Sequence, residues 1–137
     1  MHSIIDDWVD LKVKHIKMMS LITPWPLIAG FFGLTAVLIG AIAAHVLTDA
    51  IAIISVERAA NYQLIHAVLL VVTSLIVGRA AEISRWCFLL GVIIFSGSIY
   101  AKYFLGLLEA TKIAPAGGVL LMLGWLSLAF SAKGQAK

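Results

Sequence analysis

Four apolar stretches decide what this chain can fold into. Residues 27–47 carry no formal charge. Residues 59–77 hold Tyr62, Gln63 and His66 in their first half. Residues 86–105 are interrupted near their end by Lys102, and residues 113–132 are again uncharged. Each approaches the roughly 20 residues needed to cross about 30 Å of hydrocarbon at about 1.5 Å per residue. Lipid satisfies no backbone polar group, and no alternating barrel pattern is present, so the stretches are predicted to be helices. The connections, at about 48–58, 78–85 and 106–112, are short enough to make successive helices antiparallel neighbours. The expected fold is an all-α membrane protein. Four transmembrane helices form an up-down-up-down bundle over residues 24–137, preceded by an amphipathic segment over residues 1–23.

Composition agrees with that reading. Of 137 residues, 62% are hydrophobic and 12% charged. A soluble domain averages about 45–50% apolar and about 25% charged, and one this small must turn a large share of its residues to water. The net charge of +3 comes from Lys and Arg residues scattered between the apolar stretches, with no basic run for a nucleic acid. Counting those residues orients the chain. Lys12, Lys14, Lys17, Arg79, Arg85, Lys133 and Lys137 fall on one side, and Arg58, Lys102 and Lys112 on the other. The richer side is expected to be cytoplasmic, with both termini there. Lys102 is expected to snorkel outward.

The first 23 residues have a different character. Asp6, Asp7 and Asp10 come early and Lys12, Lys14 and Lys17 late, as a helix dipole favours. Ser3 is positioned to cap such a helix, with Asp6 completing an imperfect capping box. Ile5, Val9, Val13 and Ile16 recur at helical spacing, and Trp8 suits the headgroup level. An interfacial amphipathic helix is expected, ending near Thr23-Pro24. Three aspartates in a long flank argue against a signal peptide.

Helices in lipid associate through small residues that let backbones approach. Gly33, Ala36, Gly40, Ala43 and Ala44 lie along one face of the first stretch. Gly117, Gly124, Ser127 and Ser131 do so on the fourth, and Gly91 and Gly97 mark the third. Gly33, Gly40, Gly97, Gly117, Gly118 and Gly124 are the expected packing glycines.

A polar group is expected in the outer half of the bundle. Tyr62, Gln63 and His66 share a helix face. His45 ends the first helix, and Ser96, Ser98, Tyr100 and Lys102 line the third. Polar side chains at depth are costly unless paired. The cluster has three readings. It is structural, or it faces a partner or lipid headgroups, or His45 and His66 ligate haem or a metal. Two histidines without further ligands at recognisable spacing do not define a site, so neither metal nor cofactor is expected. Cys87 is one cysteine in the whole chain and lies at the far end of its helix. It is read as a small apolar residue. Trp25 and Trp86 suit the interfaces, and Trp125 suits packing.

No acidic residue falls in the middle of a stretch, where a proton-coupled transporter places one. No phosphate loop, nucleophile elbow or zinc-helix motif occurs.

Four short strings carry a resemblance. They are Gly40-Ala41-Ile42-Ala43-Ala44-His45, Ala59-Ala60-Asn61-Tyr62-Gln63-Leu64-Ile65-His66, Phe95-Ser96-Gly97-Ser98-Ile99-Tyr100, and Ala114-Pro115-Ala116-Gly117-Gly118 leading to Gly124-Trp125. In this order, over about residues 27–130, they resemble the domain-of-unknown-function 423 family of small inner-membrane proteins, the YgdD and YwdK type. That resemblance implies a four-helix protein of the bacterial inner membrane with no settled biochemical role. The family's first string usually reads Gly-Ala-Phe-Gly-Ala-His. Here Ile42 and Ala43 replace the Phe and second Gly, relaxing the closest backbone approach. Its last string usually reads Thr-Pro-Ile-Gly-Gly. Ala114 here removes a hydroxyl that could cap the fourth helix. The N-terminal segment lies outside these strings and reads as an addition of this protein's own. The leading functional expectation is a non-enzymatic accessory subunit or assembly factor that packs against membrane proteins or itself. The alternative is a small-molecule, lipid or haem-binding protein using the polar cluster.

Overall fold

The computed structural model describes the backbone of residues 2–22 and 24–133, and the side chains of residues 4–14 and 24–131. The helices are α1 (His2–Ile22), α2 (Trp25–Val46), α3 (Ala50–Ser74), α4 (Arg79–Leu105) and α5 (Ala114–Lys133), with a 3-10 segment at Leu108–Ile113 before α5. No strand occurs among the described residues. Three segments are long and apolar enough to cross a membrane: Trp25–Val46, Arg79–Leu105 and Leu108–Ser131. Helix α3, at 25 residues, has the length. Glu57, Arg58, Asn61, Gln63 and His66 leave it less apolar than the other three.

The helix ends depart from the apolar stretches. α3 opens at Ala50 rather than near residue 59, because Asp49 caps it. Asp49 is extended, and its Oδ2 accepts a hydrogen bond from the Ala52 N–H at 2.7 Å. The α2–α3 loop therefore shrinks to residues 47–49. α4 likewise opens at Arg79, just after Gly78 at φ +130°. It closes on Gly106, whose left-handed φ of +71° suits a residue without a side chain. Asp49→Ala is expected to lower stability by about 1 kcal/mol, and Asp49→Ser to retain most of it. Thermal unfolding in detergent measures both.

Successive helices pack side by side, α2 on α3, α3 on α4 and α4 on α5. Paired contacts run in opposite directions along each pair. Gly40 approaches Ala60 on α3 while Gln63 bonds back to Phe32 on α2. Ser96 of α4 bonds to Ala59 while Phe88 meets His66. The core is built on Ala29, Leu70, Phe88, Val92 and Leu121.

The tightest seam lies between α4 and α5. A Cβ on Gly117 would sit 2.5 Å from the Phe95 nitrogen and 2.9 Å from the Gly91 oxygen. One on Gly91 would meet Leu121 at 2.5 Å, and one on Gly124 the Phe88 ring at 2.6 Å. Gly40 stands at ordinary contact, 3.9 Å from Ala60. Gly33, Gly97 and Gly118 would meet nothing within 4 Å, so this chain's own packing needs no glycine there. Gly118 is rotated about 100° from the seam by following Gly117 on the helix. Gly97 lines a cleft described below. On α2 the buried small residues are Ala29, Ala36 and Ala43, spaced seven apart.

One end of the bundle gathers Trp25, Trp86 and Arg85. The two indoles meet edge to face at 5.3 Å, and the Arg85 guanidinium lies 5.6 Å from the Trp25 ring. Its Nη1 donates to the Thr73 and Ile76 carbonyls at 2.6 and 3.2 Å, satisfying the open C-terminus of α3. α1 stops before Pro24, which precedes α2. Its described side chains, residues 4–14, are all exposed, Ile4, Ile5, Trp8 and Val9 among them. The side chains of Ser3, Ile16, Lys17 and Lys133, and all of Lys137, lie outside the described residues.

Candidate polar site within the bundle

Gln63 sits at the middle of α3, buried, and ties three helices together. Its Nε2 donates to the Phe32 carbonyl at 2.8 Å and to Thr35 Oγ1 at 2.7 Å, both on α2. Its Oε1 accepts from the Tyr100 hydroxyl on α4 at 3.0 Å. Thr35 passes its own proton to the Phe31 carbonyl at 2.9 Å. Both amide donors and the carbonyl of Gln63 are thus used, as a polar group away from water requires. Between α2 and α4 a cleft of about 290 Å³ opens onto Gln63, Thr35 and Tyr100, walled by Phe31, Ile39 and Ile93.

His66 lies one helical turn from Tyr62 and is almost fully buried. Its Nδ1 stands 2.7 Å from the Tyr62 carbonyl, so that nitrogen carries the proton. Nε2 is then an acceptor, and it has no partner. Rings surround it: Tyr62 stacked at 6.1 Å, Phe88 at 5.2 Å and Trp125 edge-on at 6.4 Å. Rings of α3, α4 and α5 thus enclose the imidazole.

The remaining expected members disperse. Ser96 donates to the Ala59 carbonyl across α3–α4 at 2.8 Å, whereas Ser98 donates to Phe95 of its own helix. Lys102 turns to the Tyr103 ring at 5.1 Å, and Tyr103 reaches Ser55 at 3.2 Å. His45 is exposed on the last turn of α2, roughly 15 Å along the helix from Thr35 at about 1.5 Å per residue. It is therefore not beside His66. The early start of α3 also places Gln63 and His66 in the middle of the bundle rather than within two turns of one end. Two bonding residues, Thr35 and Ser84, were not anticipated, and Ser127 was expected only as a small residue of the packing face. Thr35 is hidden in an uncharged stretch. Ser84 and Ser127 bond across α4–α5 to the Gly124 and Ala80 carbonyls at 2.9 and 2.8 Å. These hydroxyls donate to backbone carbonyls, and among the described residues none is paired with a histidine as a nucleophile would be.

Residues 39–118 match the family described as a protein of unknown function, DUF423. The chain belongs to this family. A Haemophilus influenzae UPF0382 membrane protein is 32% identical over 126 residues, covering 88% of this chain and 94% of that protein. A Staphylococcus epidermidis UPF0382 membrane protein is 38% identical, over 65% of this chain and 78% of its own. The Escherichia coli UPF0382 inner membrane protein YgdD is 30% identical, over 71% and 79%. No solved structure matches. With three apolar helices long enough to span, this DUF423 chain is a multi-pass membrane protein of the bacterial inner membrane. The Haemophilus alignment leaves out too little of the chain to exclude the whole N-terminal segment. That segment is therefore not wholly this chain's own addition.

Proposed function

We propose that this DUF423 protein is a four-span, non-enzymatic accessory subunit that packs against membrane proteins, with both termini cytoplasmic and α1 on the membrane surface. The Gln63 network carries the reading. It turns Gln63, at the centre of α3, inward and bonds it to α2 and α4, both apolar enough to span. A helix so held belongs in the bilayer with its neighbours. The Ser84, Ser96 and Ser127 hydroxyls tie helices together in the same way. That is the use of polarity expected of a packing protein. α1 carries exposed Trp8, Val9 and Val13 between Asp6, Asp7 and Asp10 and Lys12 and Lys14, a composition suited to a membrane interface. Native mass spectrometry of protein extracted gently from its own membrane tests the assignment. A mass containing further protein subunits is expected. A chain recovered only as a lone monomer removes it.

A second reading rests on the cleft beside Gln63 and Tyr100. Its volume suits a small, largely apolar ligand with one polar group. Ligand mass retained by the wild type and lost in Tyr100→Trp, which fills the cleft, would favour it.

A further inference from the structure

Helix α3 leaves one complete stripe uncovered. Ile51, Ile54, Arg58, Asn61, Ile65, Val68, Val72 and Leu75 follow one another at alternating steps of three and four residues, and all are exposed. That is the period of a helix seam that meets another helix at a shallow crossing angle. The stripe is rich in β-branched residues and contains one amide, Asn61. Arg58 lies one turn before it and Glu57 flanks Arg58.

Asn61 makes this stripe more than a lipid-facing surface. It stands near the middle of a 25-residue helix, where an exposed amide costs free energy unless it is paired. Beside it a groove of about 390 Å³ runs between α2 and α3, lined by Glu57, Asn61, Ala60, Ala36 and Gly40. We infer that this face of α3 is the contact surface for a second copy of the chain, related by a two-fold axis along the bundle. Parallel α3 helices then meet like to like. Asn61 faces Asn61, and an amide both donates and accepts, so the pair is self-complementary. Glu57 of one copy reaches Arg58 of the other, and the same pairing repeats across the axis. Arg58 and Asn61 are the polar residues of this seam, and polar residues at seam positions specify register. The groove beside the seam leaves room for the partner helix to settle close to Gly40 and Ala60.

This inference rests on the four-span reading, and cysteine chemistry in intact membranes separates the two. Cysteine is placed singly at Ile54, Asn61, Val68 and, as an off-stripe control, Ile93, in full-length Cys87→Ser protein. With a copper-phenanthroline oxidant, Ile54→Cys, Asn61→Cys and Val68→Cys are expected to form disulfide-linked homodimers and Ile93→Cys not to. Asn61→Leu in otherwise wild-type protein is expected to weaken self-association in lipid about tenfold, read by energy transfer between labelled copies. Exchanging both charges, as Glu57→Arg with Arg58→Glu, is expected to restore what Glu57→Arg alone loses. Absence of cross-linked dimer, cross-linking to a different protein, or unchanged association in Asn61→Leu overturns the dimer. If Asn61→Cys is shielded from a membrane-impermeant maleimide in these outcomes, the four-span reading stands without it. Ready labelling from water removes that reading and the dimer with it.

Discussion

Gly117→Ala is expected to lower the unfolding temperature in detergent by several degrees, while Gly118→Ala leaves it unchanged or raises it. The two glycines are adjacent and helical, and differ in what a methyl group would meet. At Gly117 the added carbon falls 2.5 Å from the Phe95 nitrogen and 2.9 Å from the Phe95 Cα. These are backbone atoms, so no rotamer change relieves the overlap. α4 and α5 must separate, and the separation reaches Leu121, which packs over Gly91 from the same side. Overpacking of this kind costs about 1–3 kcal/mol, and more where backbone is involved. At Gly118 the methyl meets nothing within 4 Å, and alanine gains about 1 kcal/mol of helix propensity over glycine. The opposite signs make the pair diagnostic. Equal destabilisation of both variants would mean that α5 does not present Gly117 to α4.

Most of the helices could be read from the sequence because lipid imposes one requirement on each stretch, a long uncharged run. α2 and α5 follow such runs closely. α3 does not. Its first turns, Ala50 to Val56, are apolar, but Glu57 and Arg58 look like the edge of a membrane segment. The deciding residue is Asp49, whose cap starts the helix before the charges. Asp before an apolar run is a recognisable start signal, and here it outweighs the two charges. The Gln63 site was half legible. Gln63 and Tyr100 stand out in apolar surroundings, but Thr35 does not. A threonine can bond to its own helix, as Thr35 does to Phe31, so its polarity leaves no mark on the hydropathy pattern. Histidine misled in the other direction. His45 and His66 look alike in sequence, yet one is exposed at a helix end and the other sealed among rings. Spacing along the chain carries no information on which helix faces a residue several turns away.

Gln63→Leu is expected to destabilise the bundle by about 2 kcal/mol, and Tyr100→Phe in the same chain to recover part of the loss. Leucine has a similar volume, so the change removes three hydrogen bonds and little packing. Inter-helix hydrogen bonds in membranes average about 0.6 kcal/mol each, and together they give most of that figure. The rest comes from what is stranded. The Phe32 carbonyl lies within α2, and Thr35 still donates to Phe31. Tyr100 loses the Gln63 oxygen 3.0 Å away and is left with the Ser96 hydroxyl alone as a side-chain partner. A half-buried hydroxyl that loses its better acceptor is penalised, whereas removing both partners approaches neutrality. The double variant should therefore be more stable than the sum of the two single changes, a positive coupling that a double-mutant cycle reads directly. Strict additivity would show that Tyr100 and Gln63 do not bond in the folded protein.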